Sequence, residues 1–332
     1  MPEHHRPTIV ILDGYTINPG DNPWDPVAEL GELVVYDRTP AREVISRARE
    51  ADILLTSKVE LDEQVLSALP RLKFVSLLAT GYNHIDTEAA GRLGIPVSNV
   101  PAYSTPSVAQ FTMALLLGLC HRVELHDRAV HQGEWAAQED FCFWKTTQIE
   151  LDGKTFGIVG FGDIGQKVGE LAHALGMNVL AYNPRPKNRP KYDPFAFADI
   201  EELFARSDVV SLHCPLTHDN EQFVDSALLD LMKPSAFLLN TARGGLIREY
   251  DLVRALKQGI IAGAALDVVA REPLPEESPL LTAPNLLITP HMAWGSLAAR
   301  SRLTRQTASN IQAFLEGSPI NLVNAGHPGT GS

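Results

Sequence analysis

The chain has 332 residues, of which 45% are hydrophobic and 20% are charged. This composition is typical of folded globular proteins and excludes the disordered and fibrous classes, and the length exceeds one typical domain but suits two. The formal net charge of -12 argues against nucleic acid as a general partner, because phosphate contacts need clustered Lys and Arg.

Cysteine usage and apolar segments indicate the compartment. The three cysteines (Cys120, Cys142 and Cys214) have no paired spacing, so neither a disulfide framework nor a zinc site is expected, and no metal is predicted. The first apolar run, residues 8–12, is too short for the core of a signal peptide. The longest one, around residues 111–120, covers roughly half a membrane span. We therefore expect a cytoplasmic protein with no membrane partner.

The first hundred residues alternate short apolar runs with polar or amphipathic segments. The apolar runs lie at residues 9–12, 33–36, 53–56, 74–79 and 96–100. Helix-like stretches such as 41–50 and 62–69 lie between them. Alternating strands and helices predict a parallel sheet that is covered on both faces.

A long helix is predicted next, since Thr105 and Pro106 are typical of an N-cap and a first helical position. Its apolar positions run through Phe111 and Leu119 and beyond Arg122. The aromatic-rich segment that follows, residues 135–144, has no clear period. Two interpretations stay open for it: a surface loop that packs its own rings, or an arm across a subunit interface, since monomers rarely expose such apolar clusters.

A second alternating series begins at Lys154 and predicts a second α/β domain. Its apolar runs lie at residues 156–160, 178–182, 208–213, 236–241, 261–268 and 286–289, and helix-like segments cover 163–175, 249–258 and 295–316. The last helix follows the completed series, so we expect it to pack on the first domain. The prediction is a discontinuous first domain, 1–100 with 297–332, a second domain, 101–296, and a disordered tail at 325–332.

A glycine-rich turn lies at the start of the second series. Gly160, Gly162 and Gly165 stand between an apolar strand and a helix that opens with Asp163 and Ile164. This arrangement binds a dinucleotide, because the glycines let the backbone approach the pyrophosphate and the helix N-terminus attracts its charge. A glycine-rich turn without a ligand, or a flavin or S-adenosylmethionine site, is the alternative.

The end of the next strand bears on which dinucleotide binds. An acid about 20 residues after the glycine turn usually bonds the ribose hydroxyls of NAD, but this strand ends at Asn183. Arg185 follows, with Lys187, Arg189 and Lys191 behind it. A 2′-phosphate is repelled by Asp, tolerated by Asn and paired by Arg. We therefore expect NADP or NAD to bind, with NADP favoured; a solvated basic loop is the alternative.

Three later strands are each followed by a charged or titratable residue: Arg243, Glu272 and His291. Ligands of open α/β sheets bind outside the carboxyl ends of the strands, so these side chains can converge beside the cofactor. Arg can bind a carboxylate and a carbonyl oxygen, His can donate a proton, and Glu can hold that His protonated. Each alone has an ordinary alternative as a loop residue; together they indicate a 2-keto acid reductase.

Several motifs together resemble the D-2-hydroxyacid dehydrogenase family across essentially the whole chain. They are Ala79-Thr80-Gly81-Tyr82-Asn83, the turn from Gly160 to Gly165, Asn240-Thr241-Ala242-Arg243-Gly244-Gly245, Leu266-Asp267-Val268 with Glu272-Pro273-Leu274, and Pro290-His291. Two further motifs, Leu12-Asp13-Gly14-Tyr15 and His291-Met292-Ala293-Trp294, are similar to the branch of glycerate dehydrogenases and hydroxypyruvate or glyoxylate reductases. The resemblance implies two Rossmann- or flavodoxin-like parallel-sheet domains, and reduction of hydroxypyruvate or glyoxylate to D-glycerate or glycolate.

The resemblance also implies roles for individual residues. Arg243 would bind the substrate carboxylate and carbonyl, His291 would donate the proton, and Glu272 would be its partner. The further substrate-binding residues would be Ala79, Thr80, Gly81, Lys58 and Trp294. The cofactor-binding residues would be Gly160, Gly162, Asp163, Ile164, Gly165, Asn183, Arg185, Val108, Cys214, Pro215, Thr241, Ala242 and Asp267.

Partners and alternative functions follow from the same resemblance. The expected partners are a small 2-keto acid and a second copy of the chain in a homodimer, in which Trp144 either reaches the neighbour's pocket or packs in its own core. Other dehydrogenase substrates, namely D-lactate, 3-phosphoglycerate or formate, are the nearest alternatives. A dinucleotide-sensing binding protein of the same fold, such as a corepressor, is an alternative of a different class.

Overall fold

The computed structural model describes residues 6–185 and 189–324. The chain divides into two units, Met1–Ser104 with Gly295–Ser332 and Thr105–Trp294, whereas the sequence prediction divides it at 100/101 and 296/297. Lys187 of the predicted basic loop and the predicted disordered tail, 325–332, lie outside the described residues.

The first unit is built on a five-stranded parallel sheet in the order β2-β1-β3-β4-β5. Its strands are β1 (Thr8–Ile11), β2 (Glu32–Val35), β3 (Ile53–Thr56), β4 (Phe74–Leu77) and β5 (Val97–Ser98). The helices between them are α1 (Asp25–Ala28), α2 (Val44–Ala48), α3 (Glu63–Ser67) and α4 (Thr87–Arg92). Every residue of β3 and β4 is buried, which is why these strands are continuous apolar runs rather than alternating ones.

The second unit is built on a seven-stranded parallel sheet in the order β12-β11-β10-β9-β6-β7-β8. Its strands are β6 (Thr155–Val159), β7 (Asn178–Tyr182), β8 (Phe195–Phe197), β9 (Val209–Leu212), β10 (Phe237–Asn240), β11 (Gly263–Leu266) and β12 (Leu286–Ile288). Its helices are α5 (Thr105–His121), α6 (Val123–His131), α7 (Asp163–Ala174), α8 (Ile200–Arg206), α9 (Ser226–Leu231) and α10 (Glu249–Lys257). The strand order reverses between β6 and β9, which is where open α/β sheets bind ligands.

The last helix and the C-terminal segment complete the first unit. This helix, α11 (Leu297–Leu315), packs on the sheet, and Phe314 stacks on Phe74 of β4 with ring centroids 4.5 Å apart. Beyond it, Ser98 of the edge strand β5 forms an antiparallel bridge with Leu322. Asn324 accepts a hydrogen bond from the Val97 N–H at 3.0 Å. The predicted fold class, two parallel-sheet α/β domains of which the first is discontinuous, is confirmed.

The predicted long helix is wrong beyond His121. The chain takes a left-handed conformation at Arg122, with φ of 46°, and α6 starts at the next residue in a new direction, bent by 56° from α5. Among the described residues, no single helix is both long enough and apolar enough to cross a membrane. The bent pair α5 and α6 meets both conditions only when the two helices are counted together.

In each sheet, one aspartate links neighbouring strands at their N-terminal ends, which form one edge of the sheet. Asp52, which precedes β3, accepts a hydrogen bond from the first N–H of β1, at Thr8, at 3.0 Å and pairs with Lys73 at 3.1 Å. In the second unit, Asp208 precedes β9, accepts from the first N–H of β6, at Thr155, at 2.8 Å and pairs with Lys233 at 2.9 Å. Each of these sets of Thr, Asp and Lys is an edge clasp.

The edge clasps keep their carboxylates ionised. Burial by itself would raise the pKa of Asp52 and of Asp208. The backbone N–H donor and the neighbouring lysine act in the opposite direction and outweigh burial, so that the pKa of both carboxyls lies below the ordinary value. A hydrogen-bonded, ion-paired carboxylate is the form that burial tolerates.

Candidate active site

The glycine turn that follows β6 has no room for side chains at two of its three glycines. A Cβ on Gly160, where φ is +95°, would lie 2.6 Å from the backbone nitrogen of Cys214, and one on Gly165 would overlap the carbonyl oxygen of Gly160. Gly162 is different, because a Cβ there would meet no atom within 4 Å. The first and third glycines therefore allow close packing within the unit, and the second leaves its backbone open to a ligand.

The helix that follows the turn presents its N-terminus at the same place. The 12-residue helix α7 begins at Asp163 with Gly162 as its N-cap, and no side chain caps it. The first-turn N–H groups of α7, among them that of Ile164, have no partner within the helix and lie next to the open face of Gly162. Such groups bind phosphate. The turn and helix therefore fit the pyrophosphate of a dinucleotide.

The strand next to the glycine turn ends at a neutral residue. Asn183 is half-buried after β7, and Arg185 is exposed and forms no ion pair among the described residues. Arg189 donates instead to Asp193 at 2.9 Å and to the Phe195 carbonyl at 3.1 Å. Of these two arginines, the one nearer the strand end thus has its guanidinium available for an anion.

The loop after β9 borders the glycine turn on its other side. Burial raises the pKa of the Cys214 thiol to about 11, so this side chain stays a neutral thiol, and Pro215 beside it is exposed. Burial also lowers the pKa of His213 to about 3. A neutral, half-buried His213 is unsuited to donating a proton at neutral pH.

The turn after β10 carries Arg243 into an exposed position. Asn240 is fully buried; its side chain accepts from the Ala242 N–H at 3.0 Å and donates to the Arg243 carbonyl at 2.9 Å. Thr241 is held by Thr112 of α5, with 3.0 Å between the hydroxyl oxygens, and Val108, one turn earlier in α5, is buried.

The Arg243 guanidinium itself is bound only lightly. It donates to the Ala242 carbonyl at 2.7 Å and forms no ion pair among the residues that the structure describes. An exposed guanidinium without an acid is available to bind a carboxylate in two-point fashion.

His291 and Glu272 form a close pair in the second unit. His291 Nδ1 lies 2.7 Å from Glu272 Oε2, and both side chains are partly exposed. This contact occupies Nδ1, so that Nε2 is the nitrogen left to exchange a proton with a ligand. The contact with Glu272 also orients the imidazole ring.

The backbone around His291 is held in an unusual conformation by Asp267. His291 has a positive φ of 53°, and its N–H donates to the Asp267 carbonyl at 2.8 Å. The Asp267 side chain, 1% exposed, accepts from the Thr289 hydroxyl at 2.7 Å and from the N–H groups of Met292 and Ala293 at 2.9 Å each. Asp267 therefore orders the turn that carries His291.

Comparison with known proteins agrees with this geometry. A family model described as the NAD binding domain of D-isomer specific 2-hydroxyacid dehydrogenase matches residues 113–293. A hydroxypyruvate reductase of Blautia hydrogenotrophica is 47% identical over 95% of this chain and 99% of its own length. The chain belongs to the D-isomer-specific 2-hydroxyacid dehydrogenases. It is an NAD(P)-dependent oxidoreductase that acts on a CH–OH group, as the sequence predicts.

Solved structures of similar proteins cover nearly the whole dehydrogenase. The TT0316 protein of Thermus thermophilus has a TM-score of 0.84 and 34% identity, covering 95% of this chain and 99% of that one. An NADPH-dependent glyoxylate/hydroxypyruvate reductase of Sinorhizobium meliloti, solved in complex with NADP and malonate, has a TM-score of 0.82 and 27% identity, covering 97% and 98%.

The remaining residues predicted to bind substrate lie mostly in the first unit of the dehydrogenase. Ala79, Thr80 and Gly81 follow β4, and the Thr80 hydroxyl donates to the Val100 carbonyl at 2.7 Å. Lys58 follows β3, where its N–H donates to Asp13 at 2.6 Å and its side chain is exposed.

The two candidate tryptophans differ in exposure. Trp294 ends the second unit and is half-buried. Trp144 is 67% exposed, so it does not pack in the core of its own chain, which was one of the two expectations for it.

Three residues of the dehydrogenase site were missed by sequence reasoning. They are Thr112, Asn240 and Thr289, whose side chains hold predicted site residues through hydrogen bonds. Asn240 had a local signal, since Asn before a turn often bonds the backbone two residues on. The other two contacts join distant parts of the chain, and no local pattern indicates them.

Proposed function

We propose that this dehydrogenase reduces a small 2-keto acid, hydroxypyruvate or glyoxylate, to the D-2-hydroxy acid, D-glycerate or glycolate. The observation that carries the proposal is the contact of 2.7 Å between His291 and Glu272, in the same unit as the exposed Arg243 and the open glycine turn. The names of the Blautia and Sinorhizobium relatives support these two substrates over D-lactate and 3-phosphoglycerate.

In the proposed mechanism, Arg243 binds the carboxylate and carbonyl oxygens of the keto acid and polarises the carbonyl. Reduced nicotinamide, when bound, supplies the hydride to the carbonyl carbon. His291 donates the proton from Nε2 to the carbonyl oxygen, and Glu272 stabilises the imidazolium beforehand. In the oxidative direction His291 is the base. On the resemblance alone, the backbone of Ala79, Thr80 and Gly81 is assigned to the substrate carboxylate, and Lys58 and Trp294 to the rest of the substrate.

The cofactor-binding roles are proposed for the residues along the same sheet edge. Gly160, Gly162, Asp163, Ile164 and Gly165 are assigned to the pyrophosphate. Asn183 and Arg185 are assigned to the adenosine ribose, Cys214 and Pro215 to the adenine side, and Val108, Thr241, Ala242 and Asp267 to the nicotinamide end. The Asp267 carboxylate, which is proposed to contact the nicotinamide, already accepts three hydrogen bonds from this chain.

NADP is proposed as the favoured cofactor. The support is the neutral Asn183 where NAD-binding proteins have an acid, and the exposed Arg185 two residues on, while Arg189 is paired with Asp193. The Sinorhizobium relative is NADPH-dependent by name.

A homodimer is also proposed, formed through the aromatic arm, residues 135–144. The support is the exposure of large apolar side chains along it, among them Phe141 at 89% and Trp144 at 67%, since exposed apolar clusters mark interaction sites. A cytoplasmic location stays a prediction from the sequence.

The test is a matrix of initial rates for hydroxypyruvate, glyoxylate, pyruvate and 3-phosphohydroxypyruvate, each with NADH and NADPH. We expect the highest kcat/KM for hydroxypyruvate or glyoxylate with NADPH. A preference for another keto acid would contradict the substrate, and an equal or better rate with NADH would contradict the cofactor preference. Binding of NADPH without turnover of any keto acid would favour the dinucleotide-sensing alternative.

A further inference from the structure

We propose that Glu249 is a positioning residue for the proton-transfer pair and acts on Glu272 through the backbone of Ala270. The inference rests on the proposed function, because it concerns the same reaction. Glu249 is the first residue of α10 and was assigned no role by sequence reasoning.

The first step is the contact between Glu249 and the loop that follows β11. Glu249 Oε1 accepts a hydrogen bond from the Ala270 N–H at 2.7 Å. This is a charge-assisted bond, and such bonds are shorter and stronger than neutral ones. It joins the start of α10 to a segment 21 residues further along the chain, so it is a tertiary contact and not part of the helix cap.

The second step runs from that loop to the reacting imidazole. Val269, beside Ala270, donates its N–H to Glu272 Oε1 at 3.3 Å. The other oxygen, Glu272 Oε2, lies 2.7 Å from His291 Nδ1. The placement of the loop backbone at residues 269–270 therefore contributes to the position of the Glu272 carboxylate, and with it to the orientation of His291.

The third step links the same loop to the substrate-binding arginine. Gly244, directly after Arg243, is buried, and a Cβ there would overlap the carbonyl group of Val269. The turn with Arg243 and the loop with Glu272 are thus packed backbone to backbone. Glu249 follows this turn by only a few residues and accepts from the N–H of the same Val269–Ala270 peptide group.

The helix that carries Glu249 is itself a firm support. Leu252, Ala255 and Leu256 of α10 are buried in the core of the second unit, and the Arg248 N–H donates to the Val224 carbonyl at 3.0 Å. An acceptor on a well-packed element can hold a loop within the tolerance that proton transfer requires. Loss of the acceptor should therefore lower kcat more than it raises KM.

Three variants of Glu249 separate this role from a general effect of charge at a helix N-terminus. Glu249→Ala removes both the acceptor and the charge. Glu249→Gln keeps an oxygen acceptor at the same reach without the charge, and Glu249→Asp keeps the charge but falls short of Ala270 by about one C–C bond, roughly 1.5 Å. Asp251→Ala is the matched control, because Asp251 lies in the same helical turn and accepts from the Ser226 N–H at 2.9 Å, away from the site.

The measurements are kcat and KM for hydroxypyruvate and glyoxylate reduction, NADPH affinity, and thermal midpoint. We expect Glu249→Ala and Glu249→Asp to lower kcat about tenfold while KM changes much less, because proton transfer depends on the placement of His291 by Glu272. Glu249→Gln should stay within about threefold of the parent in kcat, and Asp251→Ala should leave both kcat and KM close to those of the parent.

The opposite pattern overturns the proposal. If Glu249→Asp behaves as the parent and Glu249→Gln as Glu249→Ala, the charge matters and the contact with Ala270 does not. A parent-like kcat in Glu249→Ala, or an equal fall of kcat in Asp251→Ala, equally contradicts a specific role. Failure of the unmodified protein to reduce either keto acid is a separate result, which contradicts the proposed function itself.

Discussion

At the scale of single residues, the site depends on which histidine can carry a proton. His213 lies beside the glycine turn, but burial lowers its pKa to about 3, so it remains neutral. His291 is partly exposed and contacts a carboxylate at 2.7 Å. The environment of each imidazole, and not its distance along the chain from the cofactor turn, distinguishes the two.

Replacement of His291 should therefore stop the chemistry without disturbing cofactor binding. We expect His291→Asn to lower kcat about 100-fold to 10,000-fold, the range for loss of a general acid, with little change in the Kd for NADPH measured by fluorescence titration. His218→Asn is the control, because the His218 side chain is fully exposed, and its rate should equal that of the parent. A near-normal kcat in His291→Asn would assign the proton to another donor.

Cofactor choice is the second property that single residues decide. Arg185→Ser should raise KM for NADPH about tenfold or more, because a hydrogen bond to a charged group contributes about 1.5–3 kcal/mol, while KM for NADH changes little. Arg189→Ala is the matched control, since Arg189 pairs with Asp193 at 2.9 Å. An equal rise in KM for both cofactors in Arg185→Ser would show that the arginine does not recognise the 2′-phosphate.

At the scale of elements, the ionised carboxylates of the two edge clasps make the stability of the sheets depend on pH in the acid range. The folded-state pKa of Asp208 is lowered, so its carboxylate contributes stability that is complete above the unfolded pKa of about 3.9. That contribution is lost as the pH falls through the still lower pKa of the folded state.

Asp208→Asn should therefore destabilise the protein at neutral pH but not in strong acid. We expect the free energy of unfolding to fall by about 1–2 kcal/mol at pH 7, and the difference from the parent to vanish once the pH lies below the lowered pKa of the folded state. Urea unfolding across pH measures it, with Asp219→Asn as control because the Asp219 side chain is almost fully exposed. A difference that persists unchanged into strong acid would argue against the ionised carboxylate as its source.

Much of the element order could be predicted, because buried parallel strands are continuous apolar runs and the glycine turn has a fixed place between a strand and a helix. The three-residue strand β8 was missed, since so short a run gives no periodic signal. The break at Arg122 was also missed, because its left-handed conformation is uncommon for a residue of this type. The contact of Glu249 with Ala270 depends on tertiary packing that no local pattern carries.

At the scale of the whole molecule, the aromatic arm brings three exposed aromatic side chains together in a short segment: Trp135, Phe141 and Trp144. The arm is held in its own chain by bonds at its base, where the Lys145 N–H donates to His126 Nε2 at 3.0 Å and the Lys145 ammonium pairs with Glu134 at 2.6 Å. An arm that is fastened at its base and exposed along its rings is suited to a partner surface.

Disruption of the arm should change the mass of the protein in solution. We expect the parent to be a dimer by light scattering and Phe141→Asp to shift it towards the monomer, because a charge buried without a partner is costly. Leu281→Asp is the control, since Leu281 is also exposed, at 55%, but lies outside the arm. A parent that is monomeric at micromolar concentration contradicts the proposed dimer directly.

The two edge clasps occupy equivalent places in the two sheets. In both sheets Thr starts the first strand of the unit, Asp precedes the strand beside it, and Lys lies ahead of the strand after that. The strand orders agree as well, apart from additional strands at the two edges of the second sheet. Both clasps therefore place their ionised groups at the amino ends of the strands. The carboxyl ends, which in the second unit lead to Arg243 and His291, are left for chemistry.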